Sequence, residues 1–259
     1  MKKYLLTLYL ILITCMLAEN RPKIALVLSG GGSKGMAQVP TLQVIDSLNI
    51  PIDYVIGTSI GSITGALYSM GYSSDEILSE GLKTNWDIIY SNYKKREDLY
   101  FFQKNDYNKY PVIFNLKGIS PQAPMAITNG HASYMDLNSK FAVYELINDF
   151  NNFKIPFRCN AMDLLTGEEI IFDNGSISKA LRASSSIPSV FNPVDNDGSL
   201  LIDGGVCNNF PTDIAKKIGA DIVIGVNVSN SLRESSDINT IFDILRQTIS
   251  LNGLQKKIK

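Results

Sequence analysis

Three short stretches of the chain carry residue types able to perform acyl transfer. The first is Gly57-Thr58-Ser59-Ile60-Gly61, a serine between two glycines, placed after the apolar run 52–57 and before a helical period. A sharp strand-to-helix turn lifts a serine oxygen clear of a sheet, and flanking glycines relieve the crowding there. The helix opening at Ile60 would add positive potential where an alkoxide forms. A serine nucleophile needs a base, and the sequence holds one histidine, His131, in the polar stretch "ITNGHASYM". A lone histidine in such a stretch reads as a solvated surface residue. Asp203 in "LLIDGGVCNNFP" is the better candidate. It ends an apolar strand and so is expected at the same C-terminal sheet edge as Ser59, where open α/β proteins carry their sites. Gly204 and Gly205 leave room around the carboxylate, although Asp203-Gly204-Gly205 alone reads equally well as a turn. An aspartate of pKa ~3.9 is a weak base toward serine, so it would need desolvation and a direct hydrogen bond.

The third stretch is Gly30-Gly31-Gly32-Ser33-Lys34-Gly35. It satisfies G-x-G-x-x-G after a strand, which raises a dinucleotide site. That site wants an acid ~20 residues on, at the far end of the next strand, to hold a ribose. Here Asp53 opens that strand and its far end carries Gly57-Thr58-Ser59, so the cofactor reading fails. Glycines without Cβ atoms can instead turn tightly and expose several N–H groups ahead of a helix, a binding place for an oxyanion. A merely structural turn is the alternative. No Cys/His cluster suggests a metal, and no cofactor is expected.

These motifs need a scaffold, and the rest of the pattern supplies one. Residues 23–29 form a near-continuous apolar strand, as expected when both faces are covered. Val39, Leu42, Ile45 and Leu48 mark a helix over 37–48, and residues 52–57 a second strand. Ile60, Ile63, Leu67 and Met70 mark the next helix, closed by Gly71. Residues 86–135 are rich in aromatics without a clear period and read as a lid or lipid-contacting surface, or as ordinary core and loop. A helix is expected over 141–150, a strand pair at 155–162 and 169–172, a helix over 178–185 and a short strand at 200–202. A helix over 212–218, a strand over 222–228 and a helix from 238 to about 250 complete the pattern. Strands alternating with helices argue a mostly parallel sheet covered on both sides.

Composition bounds the rest. A length of 259 residues with 45% apolar and 19% charged residues suits one globular domain. A formal net charge of −1 gives no electrostatic case for nucleic acid. Lys2 and Lys3 precede an uncharged run over 4–18, shorter than the ~20 residues a spanning helix needs. A polar exit follows at Glu19-Asn20-Arg21-Pro22. Residues 1–20 therefore read as a signal peptide, which predicts export to periplasm, cell envelope or medium. Lipid anchoring at Cys15 and an uncleaved N-terminal anchor are the alternatives. Cys159 and Cys207 remain after removal and read as small buried residues rather than a disulfide framework.

Taken together, the glycine loop, the Gly57–Gly61 motif and Asp203-Gly204-Gly205 resemble the patatin-like phospholipase family. "IPIDYVIGTSIGSITGALYSMGYSSDEI" and "ALRASSSIPSVFNPV" are similar to further family segments, and the likeness spans about 21–228. The resemblance implies a three-layer α/β/α sandwich around a mainly parallel sheet. It implies a Ser59–Asp203 dyad without a catalytic histidine, Gly30, Gly31 and Gly32 as oxyanion loop, Lys34 at its basic position beside Gly35, and Gly57 and Gly61 at the nucleophile turn. It implies a lipid acyl hydrolase acting on phospholipid or other acyl-ester lipids, with membrane-surface contact and no nucleic-acid partner. Exported bacterial members continue into further strands, so the domain at 21–259 is expected to be a short or C-terminally truncated form. A small-ester esterase or thioesterase and a non-catalytic lipid-binding module are the alternatives.

Overall fold

Along the first strand Ala25 and Val27 point to one side and Leu26 and Leu28 to the other, and all four are fully buried. Apolar layers must therefore cover both faces of the sheet. The computed structural model describes residues 21–91, 96–105, 115–229 and 232–240, together with 243, 244, 247, 248, 250 and 251. The signal-peptide reading at 1–20, and Tyr93, Tyr107, Tyr110 and Phe114 of the aromatic stretch, lie outside the described residues.

The strands are β1 (Ile24–Leu28), β2 (Tyr54–Thr58), β3 (Asn115–Lys117), β4 (Ser120–Gln122), β5 (Phe157–Asp163), β6 (Glu169–Phe172), β7 (Val194–Asn196), β8 (Ser199–Asp203) and β9 (Ile222–Val226). The helices are α1 (Val39–Ser47), α2 (Ile60–Ser69), α3 (Ser74–Lys83), α4 (Trp86–Ser91), α5 (His131–Phe141), α6 (Ile177–Ser184), α7 (Gly205–Asn208) and α8 (Thr212–Lys217). On one face Leu42 of α1, Leu67 of α2, Ile77 of α3, Leu137 of α5 and Leu181 of α6 join Leu26 and Leu28 in one core. On the other, Ile214 and Ala215 of α8 join Ala25, Val27 and Ile56. The fold is thus a central sheet flanked by helices. Strands β9, β1, β2 and β5 run parallel, while β6, β7 and β8 join antiparallel on the side of β5.

The length of β5 decides where the candidate residues fall. Strand β2 pairs with it from Phe157 to Asn160, and β8 pairs with it from Ala161 to Asp163. Strand β6 overlaps both, pairing with Cys159 to Met162. A strand has two edges, so β6 takes one, while β2 and β8 share the other. They approach along it from opposite ends, β2 stopping at Thr58 and β8 at Asp203. Asp203 does lie at the sheet edge occupied by Ser59, but by a different route from the one expected. Strand β8 is antiparallel and descends to that edge from beyond it, instead of rising to it beside β2.

Elsewhere the structure sharpens or corrects the sequence pattern. Gly71 closes α2 at φ +97, the left-handed conformation of a helix C-cap. The expected helix over 37–48 begins only at Val39, because 32–38 form a tighter 3-10 helix behind the glycine loop. The expected helix over 141–150 is wrong. Helix α5 ends at Phe141 and a 3-10 turn follows over Ala142–Tyr144. Phe141, Tyr144, Ile147 and Phe150 still pack on the core, while Val143 and Leu146 are 80% and 91% exposed. His131 opens α5 rather than sitting in a loop. Among its described residues, stretch 86–135 holds α4, two 3-10 turns, the β3–β4 hairpin and the first turn of α5. Residues 238–240 are not helical, whereas the described residues from 243 to 251 are.

Candidate active site

Ser59 sits between the end of β2 and the first turn of α2 with φ +54 and ψ −126, a conformation rarely adopted by a residue bearing a Cβ. Such a backbone costs on the order of 1–3 kcal/mol and persists where its surroundings over-determine it. Here they do. The Ser59 N–H donates to Ser184 Oγ at 3.0 Å, and its carbonyl accepts from Ser62 N at 2.9 Å and Ser62 Oγ at 2.6 Å. A Cβ on Gly57 would overlap the Gly61 carbonyl, and one on Gly61 would overlap the Leu28 and Ser29 carbonyls. Gly61→Ala is accordingly expected to lose about 3 kcal/mol, the upper end for overpacking. Urea denaturation reads this directly, and an unchanged midpoint would show that α2 has room to move off β1.

The turn aims Ser59 Oγ at Asp203, whose Oδ2 accepts its hydrogen bond at 2.6 Å. The other carboxylate oxygen accepts from Gly205 N at 2.7 Å. Both residues are buried. Desolvation pushes the Asp203 pKa up to about 6, and the hydrogen bonds from Ser59 and Gly205 hold it back from rising further. A carboxylate so placed is a stronger base than a solvated aspartate, yet mostly ionised at neutral pH.

The glycine loop packs against the same turn. Gly30 N–H donates to the Asn209 carbonyl at 3.1 Å, and Asn209 Nδ2 returns a bond to the Gly30 carbonyl at 3.2 Å. A Cβ on Gly30 would press on Ser59 Cβ, and one on Gly35 would overlap Ile60. Gly32 takes φ +58 and, with Ser59, lines a cavity of about 290 Å³. Lys34 is exposed on the 3-10 helix that follows. The cavity walls are largely aliphatic and aromatic, including Met36, Ile63, Leu67, Trp86 and Phe191. Trp86 and Tyr90 of the aromatic stretch belong to this wall, whereas Phe101 and Phe102 are exposed. His131 does not line it. Cys159 is buried as expected, whereas Cys207 is only half-buried, and neither forms a disulfide among the described residues.

Sequence reasoning missed four supporting side chains. Ser184 takes the Ser59 amide. Asn160 Oδ1 accepts from the Thr58 hydroxyl at 2.7 Å, its Nδ2 donates to the Asn208 carbonyl at 3.0 Å and to Glu169 Oε1 at 2.8 Å, and it thereby braces the residue before the serine. Asn208 Nδ2 continues that network to Asp213 at 2.8 Å. Arg182 is 4% exposed, with its ring-facing side 4.9 Å from the centre of Phe191. One signal was available: "ALRASSSI" is a run of small and apolar residues carrying a single charge.

Fold and site together define an α/β protein with a serine on a strained strand-to-helix turn, paired to a buried aspartate above an apolar cavity. A family model described as patatin-like phospholipase matches residues 26–216, and the chain belongs to that family. It is 30% identical over 224 residues to patatin-like phospholipase domain-containing protein 7 of Rattus norvegicus, covering 86% of this chain and 14% of that protein. It is 29% identical over 207 residues to lysophospholipase NTE1 of Meyerozyma guilliermondii, covering 80% and 13%. The chain thus spans only about a seventh of the length of these curated relatives. Among solved structures, VipD from Legionella pneumophila aligns with a TM-score of 0.45 at 14% identity, over 72% of this chain and 46% of that one.

Proposed function

We propose that this chain is a lipid acyl hydrolase that cleaves acyl esters of phospholipid or lysophospholipid through Ser59 and Asp203. The observation that carries the proposal is the 2.6 Å bond from Ser59 Oγ to the buried Asp203 carboxylate at the edge of an apolar cavity. Relatives named phospholipase and lysophospholipase support the reaction class.

Asp203 accepts the Ser59 proton as Oγ bonds to the ester carbonyl carbon, and the carbonyl π electrons move onto oxygen. Gly30 N–H already serves Asn209, so the oxyanion falls to the Gly31 and Gly32 amides. When the tetrahedral species collapses, the alcohol leaves with the proton held by Asp203, and the acyl group stays on Ser59. Water then gives its proton to Asp203 and attacks the acyl carbon. Release of the acid returns the proton to Ser59 Oγ. One residue serves as base and acid in each half, which suits a pKa near neutrality.

An apolar cavity beside the serine favours lipid over small soluble esters, and an intact serine–aspartate bond favours turnover over passive lipid binding. The exposed Tyr100, Phe101, Phe102 and Ile119 supply apolar surface for contact with a lipid interface. The N-terminal pattern of residues 1–20 supports export. The deciding test is labelling by a fluorophosphonate probe, wild type beside Ser59→Ala. Labelling that disappears in the variant is expected. A folded wild type that takes no label, or a variant that still does, would sink the proposal.

A further inference from the structure

We propose that the cavity measures acyl-chain length and selects esters with acyl chains of about ten carbons. This rests on the hydrolase reading above and adds the substrate class to it. The cavity follows one face of α2: Ile60, Ile63, Thr64 and Leu67 all line it, at the spacing of a single helical stripe. Ser59 stands at the start of that stripe and Leu67 at its end. Eight residues at a ~1.5 Å rise set Leu67 roughly 12 Å beyond the nucleophile. A saturated chain with ~1.5 Å bonds and angles near ~111° advances ~1.25 Å per carbon, so about ten carbons cover that length. The volume agrees independently. About 290 Å³, at roughly 30 Å³ for each water-sized group, holds about ten methylenes.

The two ends differ as the proposal requires. Ser33, at the Ser59 end, is exposed. Leu67, together with Ile77 of α3 and Leu137 of α5, is buried within the main core, so the far end is closed by packed side chains. The occupant is an alkyl chain rather than a charged headgroup, because every charged group lining the cavity already has an ion partner. Lys140 pairs with Asp136 at 2.5 Å, and Glu80 pairs with Lys83 at 3.2 Å. A phosphate or ammonium entering there would meet no free countercharge and would leave its hydration behind.

The test uses the full chain and p-nitrophenyl esters from C4 to C16, each at one mole fraction in mixed detergent micelles. Expected kcat/KM climbs about fourfold per added CH₂ up to C10 and falls at least tenfold by C16. Thr64→Phe places a ring roughly 7.5 Å along the stripe and is expected to move the maximum to about C6. Leu67→Ala opens the far end and is expected to move it to C12 or beyond. Circular dichroism melts establish that each variant is folded, and the wild-type profile decides the matter if neither is. A flat profile, a wild-type maximum at C14 or longer, or a maximum unmoved in both folded variants overturns the inference and leaves the hydrolase reading standing. Absence of hydrolysis on every chain length, with no fluorophosphonate labelling, overturns both.

Discussion

Asn at position 203 is expected to cut ester turnover by roughly 10⁴-fold, the scale seen when a member of a serine catalytic unit is removed, while making the protein more stable. Both effects follow from one carboxylate. Asparagine can still accept from Gly205 N, but its amide cannot take the proton of Ser59, so the nucleophile is never activated. The stability gain comes from burial. The folded pKa of Asp203 lies near 6, above the ordinary carboxylate value of 3.8. A group raised in this way favours the fold while it is protonated in both states, below the unfolded value. That contribution is lost as pH rises from about 4 through about 6, because the folded state must then bury a charge that the unfolded state leaves in water. Wild-type stability should therefore decline across this window, and Asp203→Asn should not share the decline. Activity runs the opposite way, falling in the wild type below about pH 6 as the base becomes protonated. Urea melts at pH 4.5, 6 and 7.5 beside steady-state rates read all of this. An asparagine variant that is less stable at pH 7.5 and still active would show Asp203 to be a structural turn residue.

Replacing Arg182 by alanine is expected to remove about 4 kcal/mol of stability and to slow labelling of Ser59. The guanidinium is buried with no carboxylate partner among the described residues, and desolvation pulls its pKa down to about 10, still charged at neutral pH. It is held instead by oxygen atoms. Nε donates to the Gly130 carbonyl at 3.3 Å, Nη2 to the carbonyls of Asn129 at 3.4 Å and Asn192 at 3.2 Å, and Nη1 to Ser186 Oγ. Gly130 has φ +73, and a Cβ there would overlap the guanidinium, so the turn into α5 is built around this one side chain. Truncation removes the guanidinium donors from the half-buried Asn192 carbonyl and the buried Ser186 Oγ and leaves the Gly130 carbonyl with Tyr134 N alone. A buried acceptor left unsatisfied costs about 1–3 kcal/mol. The damage reaches the dyad because the Ser186 carbonyl accepts the Asp203 N–H at 2.9 Å. Denaturation midpoints and labelling rates of Arg182→Ala and Arg182→Lys check this. Lysine keeps a charge but not the fork and should recover only part of the loss. A variant within 1 kcal/mol of wild type would mean that water replaces the guanidinium.

What the sequence made legible was whatever depends on local chemistry. Gly57-Thr58-Ser59-Ile60-Gly61 marks its own turn, since a strand must end and a helix begin within two residues. The glycine loop and Asp203 could be placed at strand ends because β1, β2 and β8 are short apolar runs with sharp limits. Long-range pairing was less legible. Nothing in "LLID" distinguishes a strand parallel to β5 from one that descends against it, since pairing direction depends on partners distant in sequence. The apolar spacing of Phe141, Tyr144, Ile147 and Phe150 does mark residues that reach the core, but 3-10 turns rather than one helix carry them there. Arg182 and Asn160 have residue types that usually meet water, and only packing turns them into internal braces. The cavity is the least local feature of all, assembled from α2, α3, α4 and α5, the 3-10 helix over 32–38 and the segment 185–191, and no helix was expected at α3 or α4.

The meeting of β2 and β8 along one edge of β5 also sets a clock. The serine belongs to an early segment of the chain and its partner follows 144 residues later. Contacts this distant in sequence form late, because a long loop must close before they are rewarded. A chain emerging from its N-terminus therefore carries Ser59 long before it carries Ser184, which holds its amide, or Asp203, which accepts its hydroxyl. Any nascent, nicked or half-folded copy that lacks a docked β8 holds a serine with no proton acceptor. The topology works as an interlock: on the hydrolase reading proposed above, the serine and its base meet only when nearly all of the sheet is in place.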